Sequence, residues 1–196
     1  MKTTSDRHGL SLVGYRGTGK STVGRRVAEA LGLPFLDADA VLEARCGRSI
    51  ASIFAESGEP VFRDEESRTL AELTGGPPAV LATGGGAILR ESNRSALRRF
   101  GRVVWLRATP ETLAARLRRS ADALRSRPPL TALGTVGEIQ TLLEVRTPLY
   151  EEVSDWVVET DGKSAEQVAR EIVRVFSQGT SPTSPTPDTT GDRPCS

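Results

Sequence analysis

The stretch GYRGTGKS, Gly14 to Ser21, fits the pattern G-x-x-x-x-G-K-[ST], whose chemistry is phosphate binding. Glycines let the backbone curl so that successive N–H groups converge on phosphate oxygens, and a helix starting at the end of the motif adds its positive terminus. On this pattern Gly17, Thr18, Gly19, Lys20, Ser21 and Thr22 form a triphosphate cradle. Lys20 bridges the β- and γ-phosphates, and the Ser21 hydroxyl ligates Mg²⁺. The chain has only three lysines, Lys2, Lys20 and Lys163, among many arginines, so an ordinary glycine turn does not account for the lysine at this place.

Four further groupings carry possible chemistry. PFLDAD, residues 34 to 39, sets Asp37 and Asp39 two apart at the end of an apolar run. Residues two apart on a strand share a face, so the pair could be metal-binding, catalytic or the polar end of a strand. FRDEE places Arg63 and Glu66 at i, i+3, where the carboxylate can orient the guanidinium, although this spacing is more often a surface ion pair. TGGGAILR follows an apolar run with Gly84, Gly85 and Gly86, a surface without side chains on which a ligand could meet backbone N–H groups. RTPLYEEVSDW sets Arg146 near the end of a helical pattern, where a lone arginine is usually solvated.

A nucleotide-binding loop leaves open what is done with the nucleotide. The only asparagine, Asn93, is followed by Arg94, which excludes guanine reading by an Asn-Lys-x-Asp segment. Protein-kinase signatures are absent. The single histidine, His8, lies in a polar leader, which removes Ser-His-Asp catalysis and clustered His or Cys metal sites. A small NTPase or a small-molecule kinase remains.

These residues need a scaffold, and the patterning supplies one. Short apolar runs at 10–15, 34–39, 79–83, 102–107 and 155–159 alternate with helical patterns at 20–31, 40–45, 49–56, 60–73, 92–99, 110–119, 137–152 and 164–176. Near-continuous apolar strands followed by helices indicate a parallel sheet covered on both faces, an α/β three-layer domain. The segment 120–136, with paired prolines and two arginines, is long for a compact domain and reads as a candidate lid. The folded part spans 9–176, after a loose leader at 1–8. The Ser/Thr/Pro-rich residues 177–196 read as a disordered tail.

Composition sets the class. With 196 residues, 37% hydrophobic and 26% charged, the chain reads as one soluble domain. No eighteen apolar residues run together, no signal-peptide stretch opens the chain, and Cys46 and Cys195 cannot make a disulfide framework. A reducing cytoplasm fits. Net charge is +1, so neither nucleic acid nor a membrane is an expected partner, and the basic runs at Arg98, Arg99 and at Arg116, Arg118, Arg119 read as solvated helix faces.

In this order, GYRGTGKST, FLDAD, FRDEE, TGGG, SRPPL and RTPLYEEVSDWVVET resemble the shikimate kinase family across residues 10 to 176. The resemblance implies a P-loop fold of the nucleoside-monophosphate-kinase type, with a five-stranded parallel sheet in order 2-3-1-4-5, a helical substrate-binding region and a lid. It implies a monomer that transfers phosphate from ATP, with Mg²⁺, to the 3-hydroxyl of shikimate, giving shikimate 3-phosphate and ADP on the way to chorismate and the aromatic amino acids.

It also implies roles. Arg63 and Arg146 clamp the substrate carboxylate, and Gly85, flanked by Gly84 and Gly86, offers backbone N–H to the ring substituents. Asp39 takes the proton of the reacting hydroxyl, Asp37 acts on Mg²⁺ through water, and Arg127 in the lid closes over the phosphates. For adenine, Arg119 ranks ahead of Arg118 and Arg125, Ser120 competing for the place, and Lys163 and Ser164 stand in a second contacting loop. Two other readings compete: another small-molecule kinase of this fold, such as a gluconate kinase, and an inactive nucleotide-dependent regulatory module. Retention of Lys20, Asp39 and Arg127 argues against the module.

Overall fold

The computed structural model describes residues 9–119 and 136–178. The leader, nearly all of the expected lid with Ser120, Arg125 and Arg127, and the tail from 179 lie outside the described residues.

Five parallel strands form one sheet: β1 (Gly9–Val13), β2 (Phe35–Asp37), β3 (Val80–Ala82), β4 (Gly101–Arg107) and β5 (Trp156–Glu159), in the order β2-β3-β1-β4-β5. Central β1 pairs Leu10 with Val80 on one side and with Arg102 on the other. Such a strand is buried on both faces, and every residue of β1 and β3 is buried.

The period of two along the strands sorts the core into two layers. Leu10, Leu12, Val104 and Leu106 face helices α1 (Lys20–Leu31) and α7 (Ala165–Gln178), meeting Val23, Val27, Val168 and Ile172. Val13, Leu81, Val103 and Trp105 face the opposite way. They pack on α3 (Ile50–Thr74), α4 (Glu91–Phe100) and α6 (Val136–Val153) through Leu70, Leu97, Tyr150 and Val153. Full burial of each such side chain stabilises by about 1.5–3 kcal/mol. These two clusters make the sheet the rigid middle layer of the α/β sandwich expected from the patterning.

Two smaller clusters support the periphery of the site. Helix α2 (Ala38–Cys46) and the start of α3 share Leu42, Ile50, Ile53 and Phe62, with Cys46 packed at the edge. Helix α5 (Pro110–Arg119) meets the start of α6 through Leu113, Ala114 and Ile139, together with Tyr15. Helix α3 consists of two helical segments joined by a kink at Gly58 (φ 78°, ψ 172°), two residues before Pro60. That break separates the two helical segments read from sequence at 49–56 and 60–73. Among the described residues no helix is long and apolar enough to cross a membrane.

The first pair of the β1–β4 ladder is a close backbone contact. Gly9 opposes Gly101 across β1 and β4, and a Cβ at Gly101 would lie 1.8 Å from the Gly9 carbonyl oxygen. Gly101→Ala is therefore expected to cost about 3 kcal/mol, the upper end for overpacking, because backbone rather than a flexible side chain must move. Urea unfolding checks this. An unchanged midpoint would show that the two strand ends part easily.

Candidate active site

The P-loop, the Asp37–Asp39 turn and the triple glycine leave the sheet at the carboxyl ends of β1, β2 and β3, where ligands of open α/β sheets bind, while Arg63 and Arg146 come from helices α3 and α6. After β1 the chain turns through Gly14, Gly17 and Gly19 with φ of 140°, 85° and 92°, values that L side chains rarely adopt. No side chain caps α1, whose N-cap is Gly19, so the helix presents its first-turn N–H groups to the loop. Lys20 is 8% exposed, and its Nζ donates to the carbonyls of Gly14 at 2.8 Å and Tyr15 at 2.9 Å. Thr18 closes the loop from inside, its hydroxyl donating to the Tyr15 carbonyl at 2.8 Å. Thr22, next along α1, is exposed. Lysine, glycines and helix terminus thus converge as phosphate binding requires.

Ser21 donates its hydroxyl hydrogen to Asp37 Oδ2 at 2.6 Å. The other Asp37 oxygen accepts from the backbone N–H of Asp39 at 3.1 Å and of Ala40 at 3.4 Å, making Asp37 the N-cap of α2. This corrects the strand argument for the pair. Strand β2 ends at Asp37, and Asp39 lies in the first turn of α2. The two carboxylates do not share a strand face; a capping turn relates them. Their spacing fits that geometry too, because a capping aspartate accepts N–H groups two and three residues on.

Arg63 and Glu66 lie on the inner face of α3 and are 9% and 3% exposed. Arg63 Nη1 donates to Glu66 Oε2 at 2.7 Å, while Nε and Nη2 donate to the half-exposed Glu59 Oε1 at 3.1 and 2.9 Å. Burial disfavours the charge on Arg63, but Glu66 and Glu59 together outweigh it and raise the guanidinium pKa. The pair is internal and oriented, unlike the surface ion pair that its spacing more commonly marks.

The triple glycine follows β3. Its entry is fixed by Thr83, whose N–H and hydroxyl both donate to the Leu12 carbonyl, at 3.2 and 3.1 Å. Gly84, Gly85 and Gly86 are all buried. A Cβ on Gly86 would come within 2.5 Å of Arg63 Nη1, and one on Gly85 would stand 3.1 Å from the Arg16 N of the P-loop. A side chain at Gly86 would therefore displace the Arg63 guanidinium, while one at Gly85 would have only a tight fit against the P-loop. Arg146, on α6, reaches the Gly85 carbonyl with Nη1 at 3.5 Å and lies 5.5 Å from the Tyr15 ring centroid. The structure so brings Arg63 and Arg146 to the two sides of one glycine loop, beside the P-loop.

The adenine-side residues are placed differently. Arg119 is exposed at the end of α5. Lys163 Nζ donates to Glu171 Oε2 on α7 at 2.6 Å. Ser164 caps that helix, exchanging bonds with Gln167. Arg116, read as part of a solvated face, is instead half-buried and binds Thr160 through its hydroxyl at 2.9 Å and its carbonyl at 2.7 Å. It also reaches the Gly17 carbonyl at 3.4 Å, tying the P-loop to the segment after β5. A signal was present: Arg116 is three residues after Leu113, which is fully buried, and so lies toward the inward side of α5.

A five-stranded parallel sheet, a P-loop and a facing carboxylate-and-arginine wall define a P-loop phosphotransferase. The family model described as shikimate kinase matches residues 16–177. A shikimate kinase of Pseudomonas putida is 46% identical over 86% of this chain and 96% of its own. The structure of a shikimate kinase from Acinetobacter baumannii in complex with shikimate superposes with a TM-score of 0.82 at 39% identity, covering 88% of this chain and 94% of that one. The chain belongs to the shikimate kinase family. A gluconokinase from Sinorhizobium meliloti, covering 89% of this chain and 98% of its own, shares the fold at 20% identity and a TM-score of 0.54, a likeness of fold alone.

The buried pair has a consequence for mutagenesis. Arg63→Ala leaves Glu66 buried without its main countercharge and is expected to cost about 3–5 kcal/mol. Arg63→Lys keeps a charge there and is expected to cost less than half as much. Urea unfolding of both variants checks this, and equal stabilities would show that Glu66 does not depend on Arg63.

Proposed function

We propose that this chain transfers the γ-phosphoryl group of ATP to the 3-hydroxyl of shikimate, releasing ADP and shikimate 3-phosphate, in the pathway to chorismate and the aromatic amino acids. The observation that carries the reading is the meeting of the P-loop, the Arg63–Glu66 pair and the Gly84–Gly86 loop at one edge of the sheet. The likeness to the Acinetobacter baumannii enzyme, solved with shikimate, supports the same acceptor.

Each residue then has a task. The loop N–H groups of Gly17, Thr18 and Gly19, with those of Lys20, Ser21 and Thr22 at the head of α1, hold the phosphates. The Lys20 ammonium, held at the loop by two carbonyls, follows charge onto the β–γ bridge as that P–O bond breaks. Arg63 and Arg146 take the shikimate carboxylate in their planar forks, while Gly84, Gly85 and Gly86 receive the ring hydroxyls against bare backbone. Asp39 accepts the proton of the 3-hydroxyl as its oxygen forms the new P–O bond. Ser21 and Asp37, a hydroxyl and a carboxylate 2.6 Å apart, fit a Mg²⁺ site, with Asp37 acting through water. When bound, the ion supplies neutralisation of phosphate charge.

Arg127, outside the described residues, is assigned to closing over the phosphates, with Arg119 and Lys163 on the adenine side; Lys163 must exchange Glu171 for the nucleotide to serve there. The enzyme acts as a cytoplasmic monomer on a small molecule, without nucleic acid or membrane partners.

Coupled ADP release is expected to depend on shikimate and to stay near background with gluconate or nucleoside monophosphates. Turnover driven by gluconate alone would overturn the assignment. Asp39→Asn is expected to lower kcat by about 10²-fold or more while the Kd for ATP, by calorimetry, stays within about twofold. Unchanged turnover would remove Asp39 from the chemistry.

A further inference from the structure

The acceptor side of the cleft rests on a phenol to which the roles above give no part. Tyr150 on α6 is 0% exposed, and its hydroxyl donates to the Gly85 carbonyl at 2.6 Å. Its ring stacks on Trp105 of β4, with centroids 5.4 Å apart and planes inclined by 17°. Burial raises the phenol pKa well above its ordinary range, the opposing pull of Arg146 being smaller, so the hydroxyl remains a donor at neutral pH. Arg146 stands one helical turn earlier on the same face and reaches the same oxygen at a longer 3.5 Å.

The carbonyl of Gly85 and the N–H of Gly86 belong to one planar trans peptide, so they point in opposite directions. Anchoring the oxygen in the core through Tyr150 therefore directs the Gly86 N–H away from α6. The same glycine loop faces the P-loop at contact distance, since a Cβ on Gly85 would be 3.1 Å from Arg16 N and 3.4 Å from Gly14 O. The flanking carbonyls of Gly84 and Gly86 accept from the N–H groups of Ala87 and Leu89, both at 3.1 Å, whereas the Gly85 carbonyl is held by Tyr150 and, at longer range, Arg146.

We infer that Tyr150 is a positioning residue for the phosphoryl acceptor: its hydrogen bond fixes the Gly85–Gly86 peptide plane and so sets the affinity for the acceptor acid, leaving nucleotide affinity to the P-loop. The inference rests on the reading of Gly84–Gly86 as the acceptor surface. The phenol touches no reacting atom and acts only through the backbone it holds.

Tyr150→Phe removes one oxygen and keeps the ring on Trp105. In steady-state kinetics this variant is expected to raise the KM for shikimate about five- to tenfold, the weight of one buried hydrogen bond, with the KM for ATP within about twofold. Val168→Ala, cut into the core on the opposite face of the sheet, controls for general loss of stability and is expected to leave both KM values in place. A shikimate KM unchanged in Tyr150→Phe, an equal rise in both KM values, or the same rise in Val168→Ala overturns the inference. Amide hydrogen exchange of the ligand-free protein gives a reading independent of the acceptor. Exchange at 84–88 is expected to accelerate about tenfold in Tyr150→Phe while α7 stays protected. If wild-type enzyme ignored shikimate, the acceptor assignment would fall; unchanged exchange at 84–88 would overturn the role of Tyr150 whatever the acceptor.

Discussion

The site depends on how closely two backbone segments can approach. Strands β1 and β3 are neighbours in the sheet, so the P-loop that ends one and the triple glycine that ends the other leave it side by side. Thr83 bonds twice to Leu12 and locks the exits together. From there the Gly85 backbone lies close to Arg16 and Gly14, where a methyl group would fit only tightly, 3.1 Å from Arg16 N. Phosphoryl transfer needs donor and acceptor oxygens nearly in line and close together, a matter of positioning more than of covalent chemistry. A backbone-to-backbone contact is the tightest way to set the distance between two sites, because neither partner has rotamers.

Charge is then arranged around that contact at different depths. Arg63 is nearly sealed from solvent and needs Glu66 and Glu59 to remain tolerable there. That arrangement contributes little net stability, but it leaves the guanidinium in one orientation before any ligand arrives. Arg146 is held more loosely, by a long bond to Gly85 and by the face of Tyr15. Among the described residues Arg146 makes no ion pair, and an arginine so placed retains more of its capacity for an incoming anion. The two sides of the proposed clamp thus divide into a preset member and an adaptable one.

Much of this was legible in sequence because the signals were local. Glycine, lysine and serine at fixed spacing, and apolar runs of strand length between helical patterns, located the P-loop and the five strands, while the sheet order followed only from the family resemblance. The break at Gly58 was legible for the same reason, a glycine and a proline interrupting a helical pattern. Asp37 and Asp39 were paired on the wrong geometry, since period two says nothing about where a three-residue strand gives way to a helix. Arg116 was misjudged because a run of arginines looks uniformly solvated until the tertiary fold brings Thr160, 44 residues away in the chain, against one of them. Tyr150 was not singled out in the sequence, because its hydroxyl finds its acceptor 65 residues away and no local pattern encodes that.

Arg116 and Tyr150, hidden from sequence, share one property with the legible Lys20: each contacts the site through a carbonyl oxygen. Arg116 reaches Gly17 and Thr160, Tyr150 reaches Gly85, and Lys20 itself rests on Gly14 and Tyr15. Motif reading detects side chains aimed at ligands and backbone N–H groups presented by glycines. It does not see the opposite edge of those same peptides, whose oxygens must also be satisfied once the loops are buried. Every N–H turned toward a phosphate or a substrate turns a carbonyl the other way, and a buried carbonyl without a donor costs about 1–3 kcal/mol. A site built from bare backbone therefore requires a second set of donors behind it, and in this chain a phenol and arginines supply them from helices α5 and α6.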